Sequence, residues 1–156
     1  MQKIIYLVLL LILWVGISAG YQPALVKYII DGDTLVVTLN QQQQTIRLLG
    51  IDTPETATNH HLQWQIKHWK QSATQLIKKG RQAKQFLTQL CQPNSQIIIV
   101  TDQKKYDHYQ RLLAYVYLTN GLFVNAAMLK HNYAHIYIVP PNTKKQAQLS
   151  HSWINF

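Results

Sequence analysis

The sequence predicts an α+β fold, a small five-stranded Greek-key barrel with flanking helices, and three observations carry that prediction. Several short runs rich in Val, Ile, Leu and Tyr are separated by turn residues. One long polar stretch between them places its apolar residues at helical spacing. The chain has 156 residues, 47% of them hydrophobic, which allows one compact core and no second domain once a leader is set aside.

In chain order, residues 24–30 and 34–39 are β-branched runs divided by Asp31-Gly32-Asp33, and residues 45–51 follow the polar turn 40–44. Three consecutive antiparallel strands are expected, with the Gln run as a hairpin loop. From 61 to 90 the residues Leu62, Ile66, Trp69 and Ala73, then Ala83, Phe86, Leu87 and Leu90, recur at helical spacing. Gly80 is a weak point, so two helices or one broken helix are expected there. An aromatic stripe at this spacing assigns Trp64 and Trp69 to the core rather than to base stacking. Strands are expected over 96–101 and 111–118, with a turn at Thr119-Asn120-Gly121. A helix over 125–130, an extended segment over 134–139, a stop at Pro140-Pro141 and a helix over 143–151 complete the order. Five short strands with inserted helices match a barrel of the oligonucleotide-binding (OB) type.

Charge narrows the partners. Lys and Arg number 15 against 6 Asp and Glu, a net charge of +9. Such a balance suits a polyanion: nucleic acid, through counterion release, or an anionic membrane or cell-wall surface. Residues 1–20 read as an export signal, with Lys3, the uncharged run 4–17 and small Ser18-Ala19-Gly20. Export to the exterior or periplasm is expected, leaving residues 21–156 as a single domain. The run is short against the about 20 residues of a membrane span, and an uncleaved anchor holding the protein at the membrane is the alternative. Cys91 is the sole cysteine, which excludes an internal disulfide and reads as a small buried hydrophobe. No interface pattern stands out, so a monomer is expected.

The six carboxylates are Asp31, Asp33, Asp52, Glu55, Asp102 and Asp107, and four of them fall between positions 31 and 55. Asp31 reads as a turn residue. Asp33 and Asp52 each end a turn, and two such strand ends can converge on one barrel rim as a paired-carboxylate site. Hard oxygen ligands favour calcium if that site is open and magnesium if it is tight. The histidines, including His60-His61, lack Cys partners and compact spacing and read as surface residues. Glu55, three residues past Asp52, can orient or deprotonate a water. Arg47 projects from an apolar strand and Arg111 opens a later one. Two guanidinium groups suit phosphodiester cleavage, each offering paired hydrogen bonds and a permanent charge.

These motifs resemble the staphylococcal nuclease (thermonuclease) family over roughly residues 26–142. The resemblance rests on Ile30-Asp31-Gly32-Asp33-Thr34 and on Ile46-Arg47-Leu48-Leu49-Gly50-Ile51-Asp52-Thr53-Pro54-Glu55-Thr56. Later come Asp107-His108-Tyr109-Gln110-Arg111-Leu112-Leu113-Ala114-Tyr115 and Leu122-Phe123-Val124-Asn125. The resemblance implies an OB barrel, calcium (Ca2+) held by Asp33, Asp52 and the Thr53 carbonyl, and Glu55 acting on the attacking water. It further implies Arg47 and Arg111 on the scissile phosphate, DNA and RNA as substrates with 3'-phosphate products, and nucleotide contacts at Tyr109 and Tyr137. Either tyrosine could equally be a half-buried barrel aromatic.

Three departures from the family pattern stand out. Gln110 replaces the glycine before the second arginine, the stretch after Thr56 is longer, and Val139 stands where a second tyrosine is usual. The rival to an enzyme is a noncatalytic nucleic-acid-binding module on the same barrel, since binding requires charge and a groove but not Glu55.

Overall fold

The structure, a computed structural model, describes residues 20–154; the expected signal lies outside the described residues except for Gly20. Strands β1 (Tyr21–Ile29), β2 (Thr34–Leu39) and β3 (Gln42–Leu48) are consecutive and antiparallel, as the sequence predicts. The expected loop 40–44 shrinks to Asn40 and Gln41, with φ of 49° and 65°. Two left-handed residues give a turn whose twist matches the strands, so Gln42–Gln44 join the ladder, Leu39 facing Gln42.

The single strand expected over 45–51 is two. After β3 the chain bends at Leu49 into β4 (Gly50–Asp52), which leaves the barrel and pairs with β7 (His135–Tyr137). The bend has identifiable causes. Leu49 N donates to the Ala114 carbonyl (2.9 Å), and the Leu49 carbonyl accepts from the buried Asn125 Nδ2 (2.8 Å). Gly50 has φ +78°, and a side chain there would collide with Leu149.

The helical stretch is two helices, α1 (His60–Trp69) and α2 (Ala73–Leu90). The break falls at residues 70–72, not at Gly80. Lys70 caps α1 in the left-handed conformation, and Ser72 opens α2 with a capping box to Gln75. The buried stripe of α1 contains Leu62 and Gln65; Trp64 lies off it and is 38% exposed, which corrects its assignment to the core. Trp69 is half-buried.

Strand β5 (Gln96–Tyr106) runs five residues past its expected end, and β6 (Leu112–Leu118) pairs antiparallel with it and parallel with β3. The barrel closes in the order β1-β2-β3-β6-β5. Helices α3 (Val124–Lys130) and α4 (Gln146–Ile154) complete the described chain. Val26, Leu35, Val37, Ile46, Leu48, Ile97, Ile99 and Val116 fill the interior, and Ala83, Leu87 and Met128 close it from the helices. Each such aliphatic contributes about 1.5–3 kcal/mol by leaving water, so the rim is built on a stiff base. Cys91 is buried, and burial pushes its thiol up to about 12, in keeping with a small hydrophobe. Among the described residues no helix is long and apolar enough to cross a membrane.

Candidate active site

The turn between β1 and β2 is closed by Asp31, whose Oδ1 accepts from Asp33 N (3.1 Å), the turn role the sequence assigns it. That turn sends Asp33 inward at the barrel rim. Its Oδ2 accepts from Thr53 N and Thr53 Oγ1, both at 2.9 Å, and its Oδ1 from Thr34 Oγ1 (3.1 Å). Asp52 ends β4, so the bend at Leu49 is what carries it to the same rim. The β2–β3 register sets Thr34 opposite Arg47, one residue from Asp33.

Arg47 joins the two acids. Its Nη1 lies 2.9 Å from Asp33 Oδ2 and its Nη2 2.9 Å from Asp52 Oδ1, while Nη1 also donates to the Leu48 and Ile51 carbonyls. The two carboxylates therefore converge, as expected, and face each other across one guanidinium. That side chain is 14% exposed, so it is no solvated surface charge. Burial works against the charge of Arg47, but Asp33 and Asp52 outweigh it and raise its pKa. For Asp52, burial is likewise overcome: the His61 hydrogen bond and the Arg47 charge hold its carboxyl below the usual range. Asp31 goes the other way, pushed up to about 7 by burial and by the neighbouring Asp33 charge.

Helix α1 braces this cluster through residues that sequence reasoning did not select. Asn59 caps the helix by accepting from Leu62 N (2.7 Å) and donates through Nδ2 to Glu55 Oε2 (2.7 Å). Gln65, fully buried, donates through Nε2 to Asp52 Oδ2 (3.1 Å) and to the Thr53 carbonyl (2.8 Å), and accepts from Glu55 N (3.0 Å). His61 Nε2 lies 3.0 Å from Asp52 Oδ2, which corrects its reading as a plain surface residue and raises its pKa. His61 and Gln65 stand four apart and share one helix face. The available signal was Asn59, a helix-capping residue just ahead of a periodic run.

Arg111 stands apart from this cluster. Its Nε lies 2.7 Å from Asp107 Oδ2, its backbone N donates to Asp107 Oδ1 (2.9 Å), and its guanidinium sits 5.4 Å from the Tyr109 ring centroid. Gln110 takes φ 61°, so the backbone adopts the left-handed turn that a glycine would supply. Because Ile46 pairs with Leu112, Arg111 lies on the barrel edge that β3 lines. Among the described residues it shares no ion pair or hydrogen bond with Arg47, Asp33, Asp52 or Glu55. Tyr109 and Tyr137 are 69% and 43% exposed, on the surface rather than half-buried in the barrel.

Among the described residues no group of three or more His, Cys, Asp or Glu could hold a metal ion. The donors that do share the rim are two carboxylates and the Thr53 carbonyl, all hard oxygens. Two to three such ligands suit a hard divalent cation that completes its shell with water.

Comparison with known proteins points the same way. The family described as Staphylococcal nuclease homologue matches residues 45–153. A thermonuclease of Staphylococcus intermedius is 33% identical over 120 residues, covering 77% of this chain and 62% of that protein. A thermonuclease of Staphylococcus hyicus is 31% identical over 132 residues, covering 85% and 69%. The SPbeta prophage-derived endonuclease YokF of Bacillus subtilis is 34% identical over 117 residues, covering 74% of this chain and 34% of its own length. The chain thus spans under two thirds of the Staphylococcus intermedius protein and about a third of YokF.

Proposed function

The chain belongs to the staphylococcal nuclease family, and from that premise we propose that it is an exported, monomeric, calcium-dependent nuclease that hydrolyses DNA and RNA to 3'-phosphate products. The observation that carries the proposal is the buried Asp33–Arg47–Asp52 bridge with Glu55 tied beside it by Gln65 and Asn59. A barrel that only bound polyanions would gain nothing from two carboxylates at its rim, which repel phosphate. Such acids fit a rim where a cation and a phosphodiester meet.

In this reading Asp33, Asp52 and the Thr53 carbonyl would hold the cation. A bound calcium ion would supply charge stabilisation and lower the pKa of an adjacent water. Arg47 is held near its working place by the Leu48 and Ile51 carbonyls, and part of its fork would be free for the scissile phosphate once a bound cation neutralised the acids. Arg111, anchored by Asp107, brings the second guanidinium to the same phosphate. Both act most strongly as charge grows on the phosphorus-bound oxygens. Glu55, oriented through its backbone by Gln65 and through Oε2 by Asn59, takes the proton of the attacking water. Tyr109 and Tyr137, both exposed, contact the flanking nucleotides. Export rests on Lys3, the apolar run 4–17 and Ser18-Ala19-Gly20; retention of that segment would leave the enzyme at the membrane.

Calorimetric titration of calcium and of magnesium tests the metal assignment. The parent protein should bind calcium the more tightly, and Asp33→Asn or Asp52→Asn should weaken calcium at least about tenfold. Equal affinity in parent and both variants would remove these residues from the metal site.

A further inference from the structure

Helix α1 has two faces. Leu62 and Gln65 pack inward, Trp64 and His68 are exposed, and the half-buried His61 lies between the two faces; these three rings add nothing to the hydrophobic core. The rings form a column. Trp64 lies parallel to His61 (centroids 5.3 Å apart, 6° between planes) one turn before it, and to His68 (4.2 Å, 21°) one turn after it. Tyr137 meets Trp64 edge-on at 6.4 Å, and beneath them Trp69 rests on His135 at 4.1 Å.

The column begins at the reactive rim. His61 Nε2 touches Asp52, and in the β4–β7 pair His135 stands directly opposite Asp52. The aromatic surface is thus continuous from a proposed cation ligand outward to His68, which is exposed and held by the Trp64 carbonyl (2.7 Å). Lys67 is exposed on the same helix, and so is Lys70, its C-cap. Pre-stacked flat rings beside the proposed phosphate site match one ligand chemistry, a heterocyclic base, and exposed lysines close by in sequence suit the polyanion that carries it. A base in a duplex is already stacked and paired, so a ledge of this kind selects unpaired strands.

We infer that His61, Trp64 and His68 on helix α1, with Tyr137, form a nucleobase-stacking ledge that seats an unpaired base next to the scissile phosphodiester. The inference rests on the nuclease reading above, and Trp64 is its centre because it contacts every other ring of the ledge. Stacking on one aromatic is worth about 1–3 kcal/mol per base, on the order of 5- to 150-fold in affinity.

The test is equilibrium binding, in calcium, of the whole chain carrying Glu55→Gln so that strands are not consumed. Two labelled strands of equal length are compared by fluorescence anisotropy, one of thymidines and one wholly abasic. The thymidine strand should bind at least about fivefold tighter. Adding Trp64→Ala should erase that ratio while leaving the abasic affinity within about twofold, and Trp64→Phe should retain most of the ratio. A ratio that survives Trp64→Ala overturns the ledge, as does an equal weakening of both strands. So does a change from dimer to monomer by light scattering with the ratio intact, which would make a second copy of the chain the occupant. If both strands bind the parent equally the ledge alone fails; if neither binds, the nuclease reading fails with it.

Discussion

Gln65 ties together three groups of the candidate site. Its amide satisfies Asp52 Oδ2, the Thr53 carbonyl and Glu55 N from a fully buried position. Gln65→Ala leaves those partners without their bonds, a cost of about 1–3 kcal/mol by urea denaturation, and should weaken calcium binding as the Asp52 and Thr53 oxygens lose their alignment. Asp31 makes a prediction of opposite sign. Its carboxyl is raised from 3.8 to about 7 in the folded protein. The folded state therefore holds a proton that the unfolded state has lost, and stability falls as pH rises from about 4 to 7. Asp31→Asn keeps the oxygen that accepts from Asp33 N and removes the charge, so in chelator it should raise Tm at pH 7 and flatten that slope. The candidate carboxylates and arginines stood out in the sequence because acids and arginines are rare in it and these fall in three motifs. Gln65 was not, since one glutamine among many carries no mark until the fold shows where it is buried.

At the scale of elements, the active rim depends on α2 lying close against the 54–55 turn. Gly80 sits in the middle of that helix, and a β-carbon there would lie 2.5 Å from the Pro54 carbonyl oxygen and collide with the Glu55 carbonyl. Helix propensity alone favours Gly80→Ala by about 1 kcal/mol. The collision is with backbone that cannot swing aside, so the variant should instead lower Tm and misplace Glu55, with cleavage falling further than stability. Thermal melts and single-turnover cleavage of the same preparation check it. Sequence reasoning took Gly80 for a helix break, because a glycine within a helical pattern marks either a break or a close approach and local sequence cannot separate the two. The barrel strands were legible from their β-branched runs and the turns between them. The bend at Leu49 was not, because it is imposed from afar by Ala114, Asn125 and Leu149. The inserted helix α1 was expected as a helix, but its exposed aromatic stripe became visible only once the inward stripe was placed.

For the molecule as a whole, the 156-residue chain carries a net charge of +9 while the barrel rim gathers acids. On the proposed function, the excess of basic residues attracts the strand and the chemistry is confined to the acidic rim. Strand affinity should fall linearly on a log scale with salt, whatever the base composition. On the proposed cation site, removal of calcium should lower Tm, because an ion bound at the folded rim has no equivalent site in the unfolded chain. The most direct measurement of the central claim is the rate of single-stranded DNA cleavage with calcium, with magnesium and with chelator, for the parent protein beside Glu55→Gln. Cutting should require calcium and fall at least about a hundredfold in the variant. A parent protein that binds the strand yet cuts it no faster than Glu55→Gln in any metal would contradict that claim and leave a noncatalytic binding module.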